Sequence, residues 1–359
     1  MTESSEYIIP DLSDPVGKRQ VDEEWGRIIE EVEESRELFI QILESIRNDS
    51  EVLYYEMQEV IEKQDLEQLN KVLEKLETLP FADENTTYNI FNTYKASCDY
   101  ANHDLIDLGN RATLSIKAMR IRLGKGDAEV ALRYFSRLAK DWPRYSLIME
   151  DVALRSLDPV KVEKDQCRQM NTDMFYEAAK SLQESDAVDG RVNKLLIMVD
   201  DFPKLAEGEV VEGLNPGAVA NGLFNIIRNA CYKDVGASKV ELTVAREGDE
   251  LILKVENDGE KVISPEQLNS ESEEYIFRSG VSSRDTTNGH KGLGLANMDK
   301  RFKLMNVDLS VVSKKDGQEA FFSNSPEVSQ EEVAGAFELE PGKANTIFEL
   351  RLPITKKQK

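Results

Sequence analysis

Leu223-Phe224-Asn225-Ile226-Ile227-Arg228-Asn229-Ala230 reads as a helix, with apolar residues filling most positions between two asparagines. A spacing of four places Asn225 and Asn229 on one helical face. Lys233, one turn further on, adds a point charge suited to phosphate. Taken alone, the pattern better suits a buried helix with two capped or surface asparagines. Three further patterns follow it in order, and the four together decide the fold.

Lys254-Val255-Glu256-Asn257-Asp258-Gly259 closes an alternating apolar run that reads as a strand. Without its neighbours, Asn-Asp-Gly is an ordinary hairpin turn. The third pattern is Tyr275-Ile276-Phe277-Arg278-Ser279-Gly280-Val281 and the fourth Gly289-His290-Lys291-Gly292-Leu293-Gly294-Leu295. Gly292 and Gly294 allow backbone amides to face an anion without a Cβ in the way. A helix opening at Leu295-Ala296-Asn297-Met298 adds its N-terminal partial charge, and Lys291 a full one.

In this order the patterns resemble the nucleotide-binding domain shared by sensor histidine kinases, gyrase, Hsp90 and MutL. The resemblance implies a pocket for ATP and one Mg²⁺ beneath a lid formed by residues 282–290. It makes Asn229 the metal ligand, with Asn225 beside the phosphates. Mg²⁺ takes hard oxygen ligands and keeps several waters, so one amide oxygen plus phosphates suits it. Asn257 stands where the family has a strand-end Asp that accepts the adenine amino hydrogen, with Asp258 and Gly259 beside it. An Asn carbonyl still accepts that hydrogen. Lys261 replaces the family's second glycine. Phe277 falls in the kinase "F box", Lys291 to Leu295 frame the phosphates, and the run from Thr346 to Pro353 matches the last strand of such domains. The loop from about Gly317 to Gly342 is longer than the family normally carries and takes no role from the sequence.

Lys plus Arg number 45 against 68 for Asp plus Glu, a net charge of −23. Nucleic acids and anionic membranes need clustered positive charge, so neither is expected as a partner. That weakens the gyrase and MutL branches of the resemblance. Three widely spaced cysteines (Cys98, Cys167 and Cys231) suit a reducing cytosol. Neither a spanning apolar segment nor a signal peptide is legible, so the expected location is cytoplasmic.

The expected organisation is a disordered lead at 1–16, a helical region at 17–82, a helical hairpin at 86–157 and an ATP-binding domain at 160–359. In the helical region Asn48-Asp49-Ser50 reads as a break between two helices, the second carrying Val52, Tyr55, Val60, Leu69, Val72, Leu76 and Leu79. The hairpin's first helix has an apolar stripe that includes Leu105, Leu108, Ala112, Ile116 and Met119. Two helices with one stripe each cannot bury it alone, so a homodimer forming a four-helix bundle is expected. After Pro159 the texture is mixed, and helices on one face of a mixed sheet make an α/β sandwich. The fold class expected is therefore α plus α/β.

His103, in Tyr100-Ala101-Asn102-His103-Asp104, falls about opposite the middle of the stripe at about 100° per residue. A core histidine would sit within the stripe. Phosphoryl transfer to histidine needs a neutral ring nitrogen, and a neighbouring carboxylate can hold the other N–H and take up the proton. An incidental solvated histidine is the plain alternative. The His-acidic pair followed by this domain resembles a sensor histidine kinase, which implies autophosphorylation of His103 with Asp104 as assisting base, then transfer to an Asp of a response-regulator protein. Asp107 stands where many relatives carry the Asn or Thr used in dephosphorylating that partner, and Leu108 where they carry Pro, with Pro143 available to kink the second helix. Two other readings stay open: a catalytically silent dimeric scaffold or phosphotransfer protein, and a serine-protein kinase of the anti-sigma-factor type.

Overall fold

In the computed structural model the described residues are 40–79, 99–157, 170–184, 196–199, 203–206, 209–211, 215–231, 235–277, 295, 298, 302–303, 305–334 and 345–356. The N-terminal part is helical and the C-terminal part is a mixed sheet with helices, so the expected fold class holds.

The expected break at Asn48-Asp49-Ser50 does not occur. Residues 40–63 form one helix, because Ile42, Ile46, Leu53, Met57 and Val60 continue a single buried stripe across those polar residues. Burial outweighs the weak helix propensity of three residues. The chain turns instead at Gln64, whose φ is 51°, and Asp65 caps the helix Leu66–Thr78 by accepting from Glu67 N and Gln68 N. Val52 and Tyr55, expected in the stripe, are exposed.

The hairpin arms are the helices Asp99–Gly124 and Ala128–Leu157, joined through Gly126 at φ 75°. Pro143 lies inside the second arm without ending it. The stripe residues Ala112, Ile116 and Met119 are buried within this chain, in one core with Leu69, Val72 and Leu76 of the N-terminal helices. The premise that the stripe needs a second copy is therefore corrected over this stretch, since the chain's own helices cover it. Trp142 Nε1 donates to the Ser50 carbonyl at 3.0 Å. Arg120 makes two 2.7 Å bonds to Glu77, and Arg47 lies 3.5 Å from Glu150.

The sheet runs in the order β1 (Leu196–Val199), β3 (Lys239–Glu247), β4 (Glu250–Asn257), β7 (Asn345–Lys356), β5 (Asp308–Lys315), β6 (Gln318–Ser323), with β2 (Glu209–Val211) pairing the far end of β7. Only β1 and β3 are parallel among these pairs. Alternation divides the faces. Leu251, Leu253 and Val255 of β4, Phe348, Leu350 and Leu352 of β7, and Leu309 and Val311 of β5 join the main core. Against it pack the helices Thr172–Glu184 and Pro216–Cys231, so one face is the helical face of a sandwich. Val312 and Ile347 point to the other face.

The long segment after β5 now has a structural role. Its first part is β6, and residues 324–334, ending in the short helix Gln330–Ala334, lie over the outer face. There Val328 and Val333 join Val312 and Ile347 in a second small core. The sequence reading missed both elements because the segment carries only two buried valines to mark its register.

Candidate nucleotide site

The helix Pro216–Cys231 begins in the manner its residues dictate. Pro216 suits a first turn whose N–H would go unused, and Asn215 Oδ1 accepts from Ala218 N at 3.0 Å. Asn225 is buried and Asn229 half-buried on this helix. Asn225 Nδ2 donates to the Asn221 carbonyl at 2.9 Å and lies 3.3 Å from Asn221 Oδ1. With its nitrogen committed, the atom Asn225 offers outward is its carbonyl oxygen, a hard donor of the kind Mg²⁺ or its waters accept. The amide at 225 thus fits the metal that the resemblance implies.

Across the core, Asn257, Thr346 and Ser313 stand in register on three neighbouring strands. By alternation they share the helical face with Val255, Phe348 and Val311. All three are buried. Ser313 Oγ and Thr346 Oγ1 are 2.8 Å apart, Ser313 Oγ accepts from Ile263 N at 3.0 Å, and Asn257 Nδ2 reaches the Thr346 carbonyl at 3.4 Å. A polar line inside an apolar layer requires such partners, since an unpaired buried polar group costs about 1–3 kcal/mol.

Asp258 and Gly259 are put to local use. Asp258 Oδ1 accepts from Ser238 N and Lys239 N at 2.8 Å each, and Oδ2 from the Ser238 hydroxyl. The carboxylate thereby pins the entry of β3 to the exit of β4. A Cβ on Gly259 would lie 2.7 Å from Val235 Cγ1 and 2.9 Å from the Val235 carbonyl, so packing alone demands glycine there. Glu260 N donates to the same carbonyl at 2.7 Å. Asn257 and Asp258 thus both carry local hydrogen bonds at this strand end.

Phe277 is buried in an aromatic group, 5.5 Å from Tyr275 and 4.8 Å from Phe322 between ring centroids. Phe322 belongs to β6, so the inserted segment supports the wall that carries Phe277. Leu295 is helical and packs on the main core. Met298 and Phe302 lie against the asparagine helix at Gly222, where a Cβ would come 2.6 Å from Phe302 Cζ. Lys233, Lys291, Gly292, Leu293 and Gly294 lie outside the described residues, as does the 282–290 segment. His103 and Asp104 fall in the helix Asp99–Gly124, but their side chains are outside the description.

Sequence reasoning passed over Asn221, Ser313 and Phe322. Asn221 had a signal, since asparagines recur at 221, 225 and 229 in steps of four. Ser313 and Phe322 had none, because their roles follow from strand register alone.

Residues 216–356 match the family described as Histidine kinase-, DNA gyrase B-, and HSP90-like ATPase. This segment is an ATPase domain of that family. Among solved structures, the histidine kinase AdeS of Acinetobacter baumannii is similar at 16% identity, over 69% of this chain and 96% of that one, with a TM-score of 0.28. No curated protein matches the chain significantly. The asparagine helix, the Asn257 strand end and Phe277 all lie inside the matched segment. Among the described residues, no helix is long and apolar enough to cross a membrane.

Proposed function

We propose that the chain is a cytoplasmic, ATP-dependent protein-histidine kinase that autophosphorylates His103 and passes the phosphoryl group to an Asp of a response-regulator protein. The observation that carries the reading is the pairing of two elements. One is an ATPase domain with the Asn225–Asn229 face and the Asn257–Thr346–Ser313 line. The other is a helical hairpin bearing a His-Asp pair, packed directly on the asparagine helix. A domain division at 17–82, 86–157 and 160–359 and a homodimer through the hairpin belong to the same proposal.

Asn229 would hold Mg²⁺ through its amide oxygen, with Lys233, Lys291 and the amides from Gly292 to Leu295 against the phosphates. The metal supplies charge neutralisation on the β- and γ-phosphates. Asn257 would accept the adenine amino hydrogen, with Thr346 holding the Asn257 amide in place. A neutral His103 nitrogen attacks the γ-phosphorus as the bond to the ADP oxygen breaks, and Asp104 takes the proton from the other ring nitrogen.

Incubation with γ-labelled ATP and Mg²⁺ should give an acid-labile label that His103→Gln abolishes. Acid-stable label, or label that survives the substitution, would sink the kinase reading. Asn229→Ala should remove magnesium-dependent binding. A catalytically silent scaffold is the second reading, motivated by Asn257 and Lys261 standing where the family carries Asp and Gly. Nucleotide binding without any label would select that reading.

A further inference from the structure

A run of buried polar side chains links the hairpin to the asparagine helix. Asn221 Nδ2 donates to Asp151 Oδ2 at 2.6 Å, and Asn221 in turn accepts from Asn225 through its carbonyl and its side-chain oxygen. All three residues are buried. The run has a direction. Asp151 Oδ2 is the acceptor in this bond, so Asn221 turns its nitrogen toward the hairpin and its oxygen toward Asn225. Asn225 commits its nitrogen first to the Asn221 main-chain carbonyl at 2.9 Å and second to the Asn221 side-chain oxygen at 3.3 Å, and so presents its own oxygen outward. The helix face on which it does so is the one where Gly222 admits Met298 and Phe302, from the segment that follows the glycine-rich pattern.

An outward oxygen attracts a cation and its bound water, and repels bare phosphate. An inverted Asn225 would present two N–H donors, which suit bare phosphate and repel the cation. We propose that Asp151 is a positioning residue for the nucleotide site: acting through the Asn221 side chain it reinforces the main-chain hold that keeps Asn225 oxygen-outward, and so strengthens the pocket's preference for metal-bound over metal-free nucleotide. The inference rests on the ATP reading above. It adds a residue of the hairpin, far from the glycine-rich pattern in sequence, to the set that determines the ligand form.

The test is equilibrium binding of a fluorescent ATP analogue to the full chain, with saturating Mg²⁺ and with chelator, for wild type, Asp151→Leu and Asn221→Leu. Both substitutions are close in size to the residue replaced. Losing the side-chain acceptor while the main-chain bond remains should lower the ratio of metal-bound to metal-free affinity by about threefold. The metal-free affinity should hold or rise, which general damage to the fold would not produce. Asp151→Asn retains an oxygen acceptor and should fall between wild type and Asp151→Leu. Leucine variants that discriminate as wild type does, or that lose both affinities in proportion, would overturn the inference while leaving the ATP reading intact. A wild-type chain that binds neither form would overturn both. If Asp151→Leu does not fold, Asn221→Leu and Asp151→Asn decide by the same ratio.

Discussion

From Trp142 to Asp151 every position of the hairpin's second arm is buried, whereas the first arm buries Ala112, Ile116 and Met119 but leaves Leu114 63% and Ile121 56% exposed. A helix covered on all sides stands at the centre of its fold, and one with a single buried stripe stands at its surface. The second arm is wedged between the N-terminal helices and the ATPase domain, and its polar residues are matched to both sides. Glu150 meets Arg47 of the N-terminal helix, Asp151 meets Asn221, and Arg144 lies 5.8 Å above the Phe224 ring. Any motion of the ATPase domain against the hairpin must therefore break specific buried contacts of this arm.

The largest expected effect comes from emptying the wedge on its N-terminal side. Trp142→Ala removes a 2%-exposed indole and its bond to Ser50, and should cost about 3–5 kcal/mol in denaturant unfolding. On the ATPase side the contact is closer still. A Cβ at Gly217 would lie 2.4 Å from the Leu147 carbonyl and 2.8 Å from Asp151 N, both backbone atoms that cannot turn aside. Gly217→Ala should force the two helices apart at a cost of about 1–3 kcal/mol, and limited proteolysis should cut faster between residues 158 and 215. An unchanged cleavage rate would mean that the helices are not in register as described.

A smaller effect lies at the far end of the ATPase domain, away from the wedge. Arg246 forks onto Glu209 at 2.5 and 2.9 Å, and Ala206 N adds a bond, so the Glu209 carboxyl is pushed down from 4.5 to about 2. A carboxyl lowered on folding stabilises above its unfolded value, and that contribution is lost as pH falls toward the folded one. Glu209→Gln should thus melt below wild type at pH 6. The gap should narrow below about pH 4.5 and close near pH 2. A gap independent of pH would remove the charge from the explanation.

The ATPase domain was the legible part of the chain because its patterns are short and local. Asn225 and Asn229 need only a helix to share a face, and the β3–β4 hairpin needs only alternation. The joint between domains was not legible. Gly217, Asn221 and Asp151 acquire meaning only when residues 66 or more positions apart in sequence touch, a separation that no periodicity encodes. The same limit explains the misplaced break at Asn48-Asp49-Ser50. Propensity marks those residues as a stop, and the buried stripe that runs through them, with Trp142 packed at Ser50, overrides it. The Asp258 carboxylate has a strand-end role that the nucleotide motif did not signal, accepting from Ser238 N and Lys239 N.

The least effect should come from the first arm's open face. Leu114 and Ile121 are two turns apart on the helix Asp99–Gly124, with Lys117, also exposed, between them. Neither belongs to the core, so replacing both with Ser should shift stability by no more than about 0.5 kcal/mol, against several for Trp142. Sedimentation over a range of concentrations separates the fold from the assembly in the same pair of proteins. If a second copy covers this face, the doubly substituted chain should keep its unfolding midpoint and lose dimer. A loss above about 1 kcal/mol at a concentration where the chain is monomeric would show that the first arm is covered as fully as the second, and the contrast between the arms would fail.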